Sequence, residues 1–472
     1  MASTRRDFLR QTGCALIGGA AFISSIEEFG LINALAQGGS AATDYKALVC
    51  IFLNGGNDGN NTIVPVDQTR YAEYASARAA AGLALPPPGQ AGGLLPVNPI
   101  SGGAYGLHPA MPELKTLFDN RQLAVVSNVG PLVELLTRDT YRNGSGKRPF
   151  QLFSHSDQVA QWQTSVSSDT SQTGWGGRTA DRAAALNGAA SFPQVISIAG
   201  TTLFATGANT RPLGISDART SLANVLPLNN APGAAGYTTA QTNARRAAFD
   251  GLRNLDLGAT LVKASRDTTE QAIQTSIALA TTNSTLTTAF PDTTLGYQLE
   301  QVARLIKLRD TLGIKRQIFF CSLGGFDTHS NQMAANGQSA LLTQVSQAMK
   351  AFYDATVELN IQNNVTAFTL SDFGRTLQPA GTGGGVGSDH AWGNHQFIMG
   401  GAVRGGDFYG RFPTLALGGP DDTDTRGRWI PSTSVEQYAA TLAAWYGLTT
   451  SDIPLVFPFI NRFPTANLGF MS

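Results

Sequence analysis

The sequence predicts a doubly wound α/β fold built on a mainly parallel sheet. A continuous apolar run of strand length occurs at residues 47–53, and the segments 318–323 and 365–370 also have the length and composition of strands. Unbroken rather than alternating hydrophobicity is typical of strands that are buried on both faces, as in a parallel sheet. Segments with helical spacing of apolar residues separate these runs, so we expect strands and helices to alternate along the chain.

The remaining elements follow from the same two patterns. Shorter apolar runs predict two more strands, at residues 123–126 and 397–399. Apolar residues at helical spacing predict helices over residues 110–120, 299–306, 341–359 and 434–446. In the last of these, Ser434 and Gln437 have the spacing of a capping box, and Gly447 follows the helix.

Residues 200–290 interrupt this pattern. They are polar, rich in Thr, Ala and Asn, and lack strong signals of buried strands. Between Thr239 and Leu286 apolar side chains recur at helical spacing. We therefore predict an inserted helical subdomain or cap, which divides the α/β domain into a first part, residues 37–199, and a second part, residues 291–472.

The segment 1–36 is predicted to be a twin-arginine signal peptide. Arg5 and Arg6 precede an apolar Phe-Leu pair, residues 13–25 are moderately apolar, and residues 34–36 read Ala-Leu-Ala, a pattern that signal peptidase recognises. A chance basic amphipathic N-terminus is the alternative. The signal implies a periplasmic or secreted protein that meets the twin-arginine translocase during export. No later stretch approaches about 18 uninterrupted apolar residues, so no membrane span is predicted in the mature chain.

Composition narrows the range of functions. The 33 basic and 33 acidic residues balance, so the chain has no overall positive charge that would attract nucleic acid. Cys14 lies in the predicted signal, while Cys50 and Cys321 lie inside apolar runs. We expect these two to be reduced core residues, with a single disulfide between them as the alternative.

Aspartates follow three of the predicted strands. Asp58, Asp327 and Asp372 each lie just beyond the end of an apolar run, near Gly residues. In a parallel sheet, ligands bind outside the carboxyl ends of the strands. A single aspartate after a strand is common, because aspartate is a frequent turn residue. Three carboxylates at one edge of the sheet would repel each other unless cations were bound. These aspartates are therefore candidate metal ligands.

Histidines sharpen this prediction. Three of the five, His329, His390 and His395, lie in the final third of the chain, near Asp327 or Asp389. Imidazole together with carboxylate suits zinc and similar divalent ions, whereas a single histidine is more often a turn or helix-end residue. We expect the set to bind a divalent metal, zinc in the first place, with calcium, magnesium or manganese as alternatives.

A Ser-His pair supplies candidate catalytic residues. Ser154, next to His155, could be a nucleophile activated by a metal or by a base, or it could cap the helix that follows. Thr62 and metal-bound water are the alternative nucleophiles. Arg375 could bind an anionic group of the substrate or form a salt bridge to Asp372.

Several motifs, taken in order, resemble the bacterial family called domain of unknown function 1501. They span nearly all of the chain after the predicted signal and comprise residues 53–65, 106–109, 154–162, 325–332, 372–376 and 388–390. The family commonly carries twin-arginine signals and is similar in turn to the alkaline phosphatase and sulfatase superfamily. That second resemblance implies an alkaline-phosphatase-like fold and a two-metal hydrolase with a Ser, Thr or modified Cys nucleophile.

The resemblance also implies roles for individual residues, with Ser154 in the place of the nucleophile. The metal ligands would be Asp58 after the first strand, Asp327 and His329 on one metal, Asp389 and His390 in the metal-binding loops, and His395 as a further ligand. In the superfamily an Asp-His pair directly follows a strand, whereas here that strand ends in Asp372-Phe373. The Asp-x-His spacing at 327–329 is also tighter than usual, so the assignment of ligands to particular metals stays open.

The leading hypothesis is an exported, metal-dependent hydrolase that acts on a small anionic phosphate or sulfate ester at a two-metal site. The helical insertion would cover this site and select the substrate. The alternative is a non-catalytic envelope protein that keeps the fold for binding or assembly.

Overall fold

The computed structural model describes residues 41–222, 239–255, 258, 260–281, 284–381 and 385–472. The predicted signal at residues 1–36 lies outside them. Among the described residues, no helix combines the length and hydrophobicity needed to cross a membrane. The helices are α1 (Gly59–Thr62), α2 (Gln68–Arg78), α3 (Pro112–Asp119), α4 (Arg138–Asn143), α5 (His155–Thr164), α6 (Trp175–Ala183), α7 (Thr239–Arg253), α8 (Thr260–Thr281), α9 (Thr294–Lys307), α10 (Gln338–Glu358), α11 (Val435–Tyr446) and α12 (Ile453–Val456).

The strands form one large sheet and two small ones. They are β1 (Lys46–Leu53), β2 (Ile63–Pro65), β3 (Leu95–Val97), β4 (Tyr105–Leu107), β5 (Leu123–Gly130), β6 (Val195–Ser197), β7 (Leu213–Gly214), β8 (Arg316–Leu323), β9 (Val365–Ser371), β10 (Arg375–Ala380), β11 (Gly387–His390), β12 (Asn394–Met399), β13 (Phe408–Tyr409) and β14 (Thr433–Ser434). The main sheet has the order β13-β5-β12-β9-β1-β8-β6-β7, with β14 beside β5. Strands β2, β4 and β3 form one small sheet, and β10 and β11 form a hairpin.

Strand β1 lies between two parallel neighbours in the main sheet. Ile51, for example, pairs with Cys321 of β8 and with Thr369 of β9. Strands β6 and β7 continue the parallel arrangement beyond β8, whereas β12 is antiparallel to both β9 and β5. The prediction of an α/β protein with a mainly parallel sheet is confirmed.

Both faces of the main sheet are buried, as the unbroken apolar runs predict. Alternate residues of β1 enter different hydrophobic clusters, so that Val49 packs with α9 and α10 while Leu48 packs with α11. Cys50 and Cys321 are both buried and reduced. They belong to opposite clusters, so their side chains lie on opposite faces of the sheet and cannot form a disulfide with each other.

Two helices, α7 and α8, lie in the region predicted to be a helical insertion. The boundaries of that insertion stay a prediction. Helix α2 and the small sheet of β2, β3 and β4 were not predicted from the sequence. Each of these strands has only three residues, too few for a clear apolar period.

The loops after β1, β8 and β9 meet at the carboxyl edge of the main sheet. Gly55 has a φ of +115° and lies so close to the loop after β8 that a Cβ atom would collide with the backbone nitrogen of Asp327. The backbone N–H of Gly55 also donates to Asp372 Oδ1 at 2.9 Å. The hairpin of β10 and β11 follows at the same edge, with Arg375 opposite His390. Residues far apart in the sequence therefore lie together here.

Candidate metal centre

Three histidines and one aspartate converge at the carboxyl edge of the main sheet. His155, Asp327, His329 and His390 each offer one ligand atom, and these four atoms lie within 4.8 Å of one another. We call these residues the His/Asp cluster. Asp327 Oδ1 lies 3.2 Å from His329 Nε2, 3.4 Å from His155 Nε2 and 3.6 Å from His390 Nε2. The Nε2 atoms of His329 and His390 are 2.7 Å apart.

Each histidine of the cluster is held through its other ring nitrogen. The three contacts are His155 Nδ1 to Asp372 Oδ2 at 2.7 Å, His329 Nδ1 to Asp389 Oδ1 at 3.0 Å, and His390 Nδ1 to the Phe153 carbonyl oxygen at 2.8 Å. Because carboxylate and carbonyl oxygens only accept hydrogen bonds, each Nδ1 must carry the proton that it donates. A neutral ring in this tautomer presents the lone pair of Nε2 to the cluster. Asp372 and Asp389, predicted as ligands, thus lie behind the histidines.

Three separate segments supply the ligands. His155 is the first residue of α5, so the direction of this helix sets the position of the ring. Asp327 and His329 lie in the loop after β8, and His390 is the last residue of β11, where it pairs with Arg375. The cluster is therefore assembled by the sheet and the hairpin, not by one contiguous motif.

Arg375 fixes Asp327 in this arrangement. Its buried guanidinium donates to the Asp327 carboxylate and to the backbone carbonyls of Gly55, Gly56, Phe326 and Ser388. With no exposed surface, the guanidinium has no access to a substrate. Desolvation raises the pKa of Asp327. The hydrogen bond and the charge of Arg375 lower this pKa by a larger amount, so that it lies below its ordinary value. The carboxylate is therefore ionised.

A second arginine holds Asp389. Arg426 Nη2 donates to Asp389 Oδ2 at 2.5 Å, while the other carboxylate oxygen faces His329. Desolvation raises the pKa of Asp389, but Arg426 and His329 lower it below its ordinary value. Burial lowers the pKa of His390, against the effect of its hydrogen bond to the Phe153 carbonyl. This favours a neutral imidazole, the form that binds metal.

Asp58 lies outside the His/Asp cluster. Its side chain has no exposed surface and forms an ion pair with Arg78, in which Oδ2 and Nη1 are 2.5 Å apart. Gln332 donates to the same oxygen at 2.6 Å, and the backbone N–H of Asn60 donates to the other at 3.1 Å. The structure therefore places this predicted ligand in a buried ion pair that joins α1 and α2.

His395 also lies outside the cluster. The sequence pattern places it before a strand, but β12 already begins at Asn394, so His395 lies inside the sheet and is 5% exposed. The backbone N–H of Asn128 donates to His395 Nδ1 at 3.2 Å, and the ring stacks on Phe412. Burial lowers the pKa of His395 to about 3. The residue is a neutral core histidine.

Ser154 precedes the first residue of α5. Its hydroxyl donates to Asp157 Oδ2 at 2.5 Å and lies 3.1 Å from the hydroxyl of Ser156. The alternative nucleophile Thr62 has no exposed surface, and its hydroxyl donates to the Asp58 carbonyl at 2.8 Å. Of these two hydroxyls, only that of Ser154 lies on a surface beside a cluster residue.

An open pocket of about 470 Å³ lies beside the cluster. His155, Asp327, Asp372 and Ser156 contribute to its lining, together with glycines from the loops after β1 and β8. Glycines let a bound molecule approach the backbone closely. The pocket thus gives a small molecule access to two residues of the cluster.

Two partners of the cluster, Arg426 and the Phe153 carbonyl, were not predicted from the sequence. Phe153 has a φ of 69°, a left-handed conformation that is rare for a bulky residue, and its N–H donates to Gln158 Oε1 at 2.6 Å. A backbone acceptor leaves no signal in the sequence. Arg426 lies in an Asp-Thr-Arg-Gly segment that is typical of many surface turns.

Residues 45–424 match the family described as "Protein of unknown function (DUF1501)". The chain belongs to this family. The resemblance drawn from the motifs of the sequence is thereby confirmed. The family description names no activity, and no curated protein matches the chain.

Three solved structures show a weak similarity. The PsFucS1 sulfatase from Pseudoalteromonas sp. is 10% identical with a TM-score of 0.31, over 95% of this chain and 73% of that one. The C-terminal periplasmic domain of EcEptC from Escherichia coli, in complex with Zn, is 9% identical with a TM-score of 0.32, over 87% of each chain. The phosphonate monoester hydrolase of Agrobacterium radiobacter is 9% identical with a TM-score of 0.31, over 86% of this chain and 74% of that one. Similarity this low gives no indication of function, which must therefore be inferred from the site.

Proposed function

We propose that the His/Asp cluster binds a divalent metal ion and that the protein is a metal-dependent hydrolase of phosphate or sulfate esters. The arrangement of the three imidazoles carries the proposal. The Nε2 atoms of His329 and His390 lie 2.7 Å apart, and two lone pairs at this distance repel unless a proton or a cation lies between them. His155 Nε2 is buried and has no hydrogen-bond partner among the described residues. One cation would satisfy all three nitrogens and Asp327.

The ligand types favour zinc or a similar transition metal. Imidazole nitrogen and carboxylate oxygen are common zinc ligands, whereas calcium and magnesium prefer sites made of oxygen atoms. Metal-binding histidines usually donate their second N–H to a carboxylate or a backbone carbonyl. Asp372, Asp389 and Phe153 provide such acceptors for the three histidines of the cluster.

The surroundings of the cluster suit an anionic ester. A bound divalent ion would act as a Lewis acid on the ester, whose oxygen would join the protein ligands as a fifth ligand, and would offset negative charge that develops during reaction. The N-terminus of α5, which carries orphan N–H groups, would face the anionic part of a substrate in the pocket. Asp157 would accept the proton of the Ser154 hydroxyl as this oxygen forms a bond to the phosphorus or sulfur atom of the ester, while the bond to the alcohol oxygen breaks and the alcohol leaves.

We also propose the export signal, the fold type and the helical insertion that the sequence predicts. The Arg5-Arg6 motif supports a twin-arginine signal at residues 1–36 and hence a periplasmic or secreted protein. Because the twin-arginine translocase carries folded proteins, the metal would be bound before export. A fold of the alkaline-phosphatase-like type belongs to the proposal, as does an insertion over residues 200–290 that covers the site and selects the substrate.

Metal content and ester hydrolysis test the proposal. We expect the purified protein to contain a divalent metal and to hydrolyse an aryl phosphate or an aryl sulfate. Asp327→Asn should lose metal and activity, whereas Asp119→Asn should keep both, although its carboxylate is similarly exposed, at 47% against 48%. Absence of any bound divalent ion after zinc loading would refute the proposal. Bound metal without hydrolysis of either ester would favour the non-catalytic envelope protein.

A further inference from the structure

We infer that the His/Asp cluster is a complete site for a single metal ion and not one half of a two-metal site. The inference rests on the metal binding of the proposed function but does not depend on which ester is hydrolysed. Its evidence is the spacing of the four ligand atoms, the contacts of the remaining candidate ligands and the charge around the cluster.

The four ligand atoms lie close enough together to bind one ion. Zinc bonds of about 2.0–2.1 Å to nitrogen or oxygen place the ligand atoms of a tetrahedron roughly 3.3 Å apart. Asp327 Oδ1 lies near this distance from the three Nε2 atoms, at 3.2, 3.4 and 3.6 Å, whereas the Nε2 atoms of His329 and His390 are closer together, at 2.7 Å. A two-metal site has ions about 3.5–4 Å apart and needs a second group of ligands, which these four atoms do not supply.

Two of the other candidate ligands orient histidines of the first ion. Asp372 faces His155 with one oxygen and accepts the backbone N–H of Gly55 with the other. Asp389 faces His329 with one oxygen and accepts from Arg426 with the other. Either aspartate would have to give up one of these two partners, the histidine of the first ion or the Gly55 N–H or Arg426, before it could bind a second ion.

The two remaining candidates face the protein interior. The Asp58 carboxylate is bonded to Arg78, and neither side chain has any exposed surface. His395 Nδ1 accepts the Asn128 N–H, and its ring stacks on Phe412 inside the sheet. Breaking a buried ion pair leaves an uncompensated buried charge, which opposes recruitment of Asp58.

Fixed positive charge also opposes a second ion. Arg375 donates to Asp327, and Arg426 donates to Asp389. With Asp372, the cluster and these partners comprise three carboxylates and two guanidinium groups, so one divalent ion gives a net charge of +1 and two would give +3. Mutual repulsion in a partly desolvated site disfavours the second arrangement.

Metal stoichiometry of the full chain tests the inference. The protein is loaded with zinc, dialysed and measured by mass spectrometry of the elements, and a cobalt-substituted sample is examined by absorption spectroscopy. We expect one ion per chain and the intense visible bands of four-coordinate cobalt. Two tightly bound ions per chain would overturn the inference while leaving the proposed function intact. No bound ion would overturn both.

Two variants connect the stoichiometry to particular residues. His329→Ala should lose the ion, whereas His395→Asn, which keeps an acceptor for the Asn128 N–H, should still bind one ion per chain. Circular dichroism confirms that each variant is folded. A folded His395→Asn protein that has lost a bound ion would overturn the inference, because His395 would then be a metal ligand. If this variant does not fold, the stoichiometry of the parent protein decides.

Discussion

His155 and Asp372 form a hydrogen bond that joins the start of α5 to the end of β9. The two atoms, Nδ1 and Oδ2, are 2.7 Å apart, and the Asp372 side chain has no exposed surface. The other oxygen of Asp372 accepts the Gly55 N–H, so the carboxylate cannot rotate freely. The imidazole is thereby fixed with Nε2 towards the cluster. Asp372 would act on a metal ion only through the histidine.

Asp372→Asn should weaken zinc binding by about 10–100-fold, as is usual when the partner of a metal-binding histidine is changed. The amide NH₂ would face His155 Nδ1 and favour the tautomer with the proton on Nε2, which cannot bind metal. Competition with a chelator measures the affinity, and Asp119→Asn is the matched surface control. Unchanged affinity in the folded variant would show that Asp372 does not orient the ligand.

Ser154→Ala should lower kcat for the ester by at least about 100-fold with metal content unchanged, if the Ser154 hydroxyl attacks the substrate. Ser156→Ala removes a neighbouring hydroxyl from the same turn and should retain most activity. Steady-state kinetics on an aryl phosphate and an aryl sulfate compare the two variants. Full activity of Ser154→Ala would indicate that water is the nucleophile, since Thr62 is buried.

Arg375→Met should lower the free energy of unfolding by about 3–5 kcal/mol, because several buried carbonyls and Asp327 would lose their donor. Urea unfolding measures this change. Arg219→Ala is the control, since that side chain is 61% exposed and its partner Asp217 is itself partly exposed. Its loss should have a much smaller effect. Equal effects of the two substitutions would contradict the central structural role of Arg375.

Glu436 should make stability depend on pH. Burial raises its pKa to about 8, against the opposing effects of the Phe459 N–H, Arg462 and Arg178. The folded state therefore keeps a proton that the unfolded chain, with an ordinary pKa of 4.5, releases. Stability contributed by this protonated carboxyl is complete below pH 4.5 and is lost as pH rises through about 8.

Glu436→Gln should remove this dependence. Urea unfolding near pH 5 and near pH 8.5 should show a smaller loss of stability in the variant than in the parent protein. Glu73→Gln, on the partly exposed helix α2, is the control and should follow the parent. A parent protein and Glu436→Gln variant with the same pH profile would mean that Glu436 is ionised in the folded state.

The main sheet could be predicted because its central strands are buried on both faces. Residues 47–53 are apolar without interruption, residues 318–323 are apolar apart from Ser322, and the structure pairs the two segments in parallel register. The capping box at Ser434 and Gln437 could also be predicted from the sequence, and both of its hydrogen bonds are present in the structure. The order of the strands could not be predicted, because parallel neighbours such as β1 and β9 are joined only through contacts distant in sequence.

The types of ligand in the candidate site could be predicted better than their grouping. Asp327, His329 and His390 lie together, as their positions beyond predicted strands indicated. His395 does not join them, because a strand boundary three residues earlier than expected turns its ring into the core. His155 does join them, because α5 packs against the sheet in a position that brings this side chain to the cluster. Side-chain pattern alone does not reveal such packing.

The ligands of the His/Asp cluster come from α5, the loop after β8 and the end of β11. An unfolded chain has no comparable set of converging nitrogens, so an ion that binds only the native state would shift the folding equilibrium. At a free concentration of about 100 times Kd, such linkage contributes about 2.7 kcal/mol to the free energy of unfolding. Metal scarcity would then limit the lifetime of the protein as well as its chemistry, because chains without the ion would open more often to proteases.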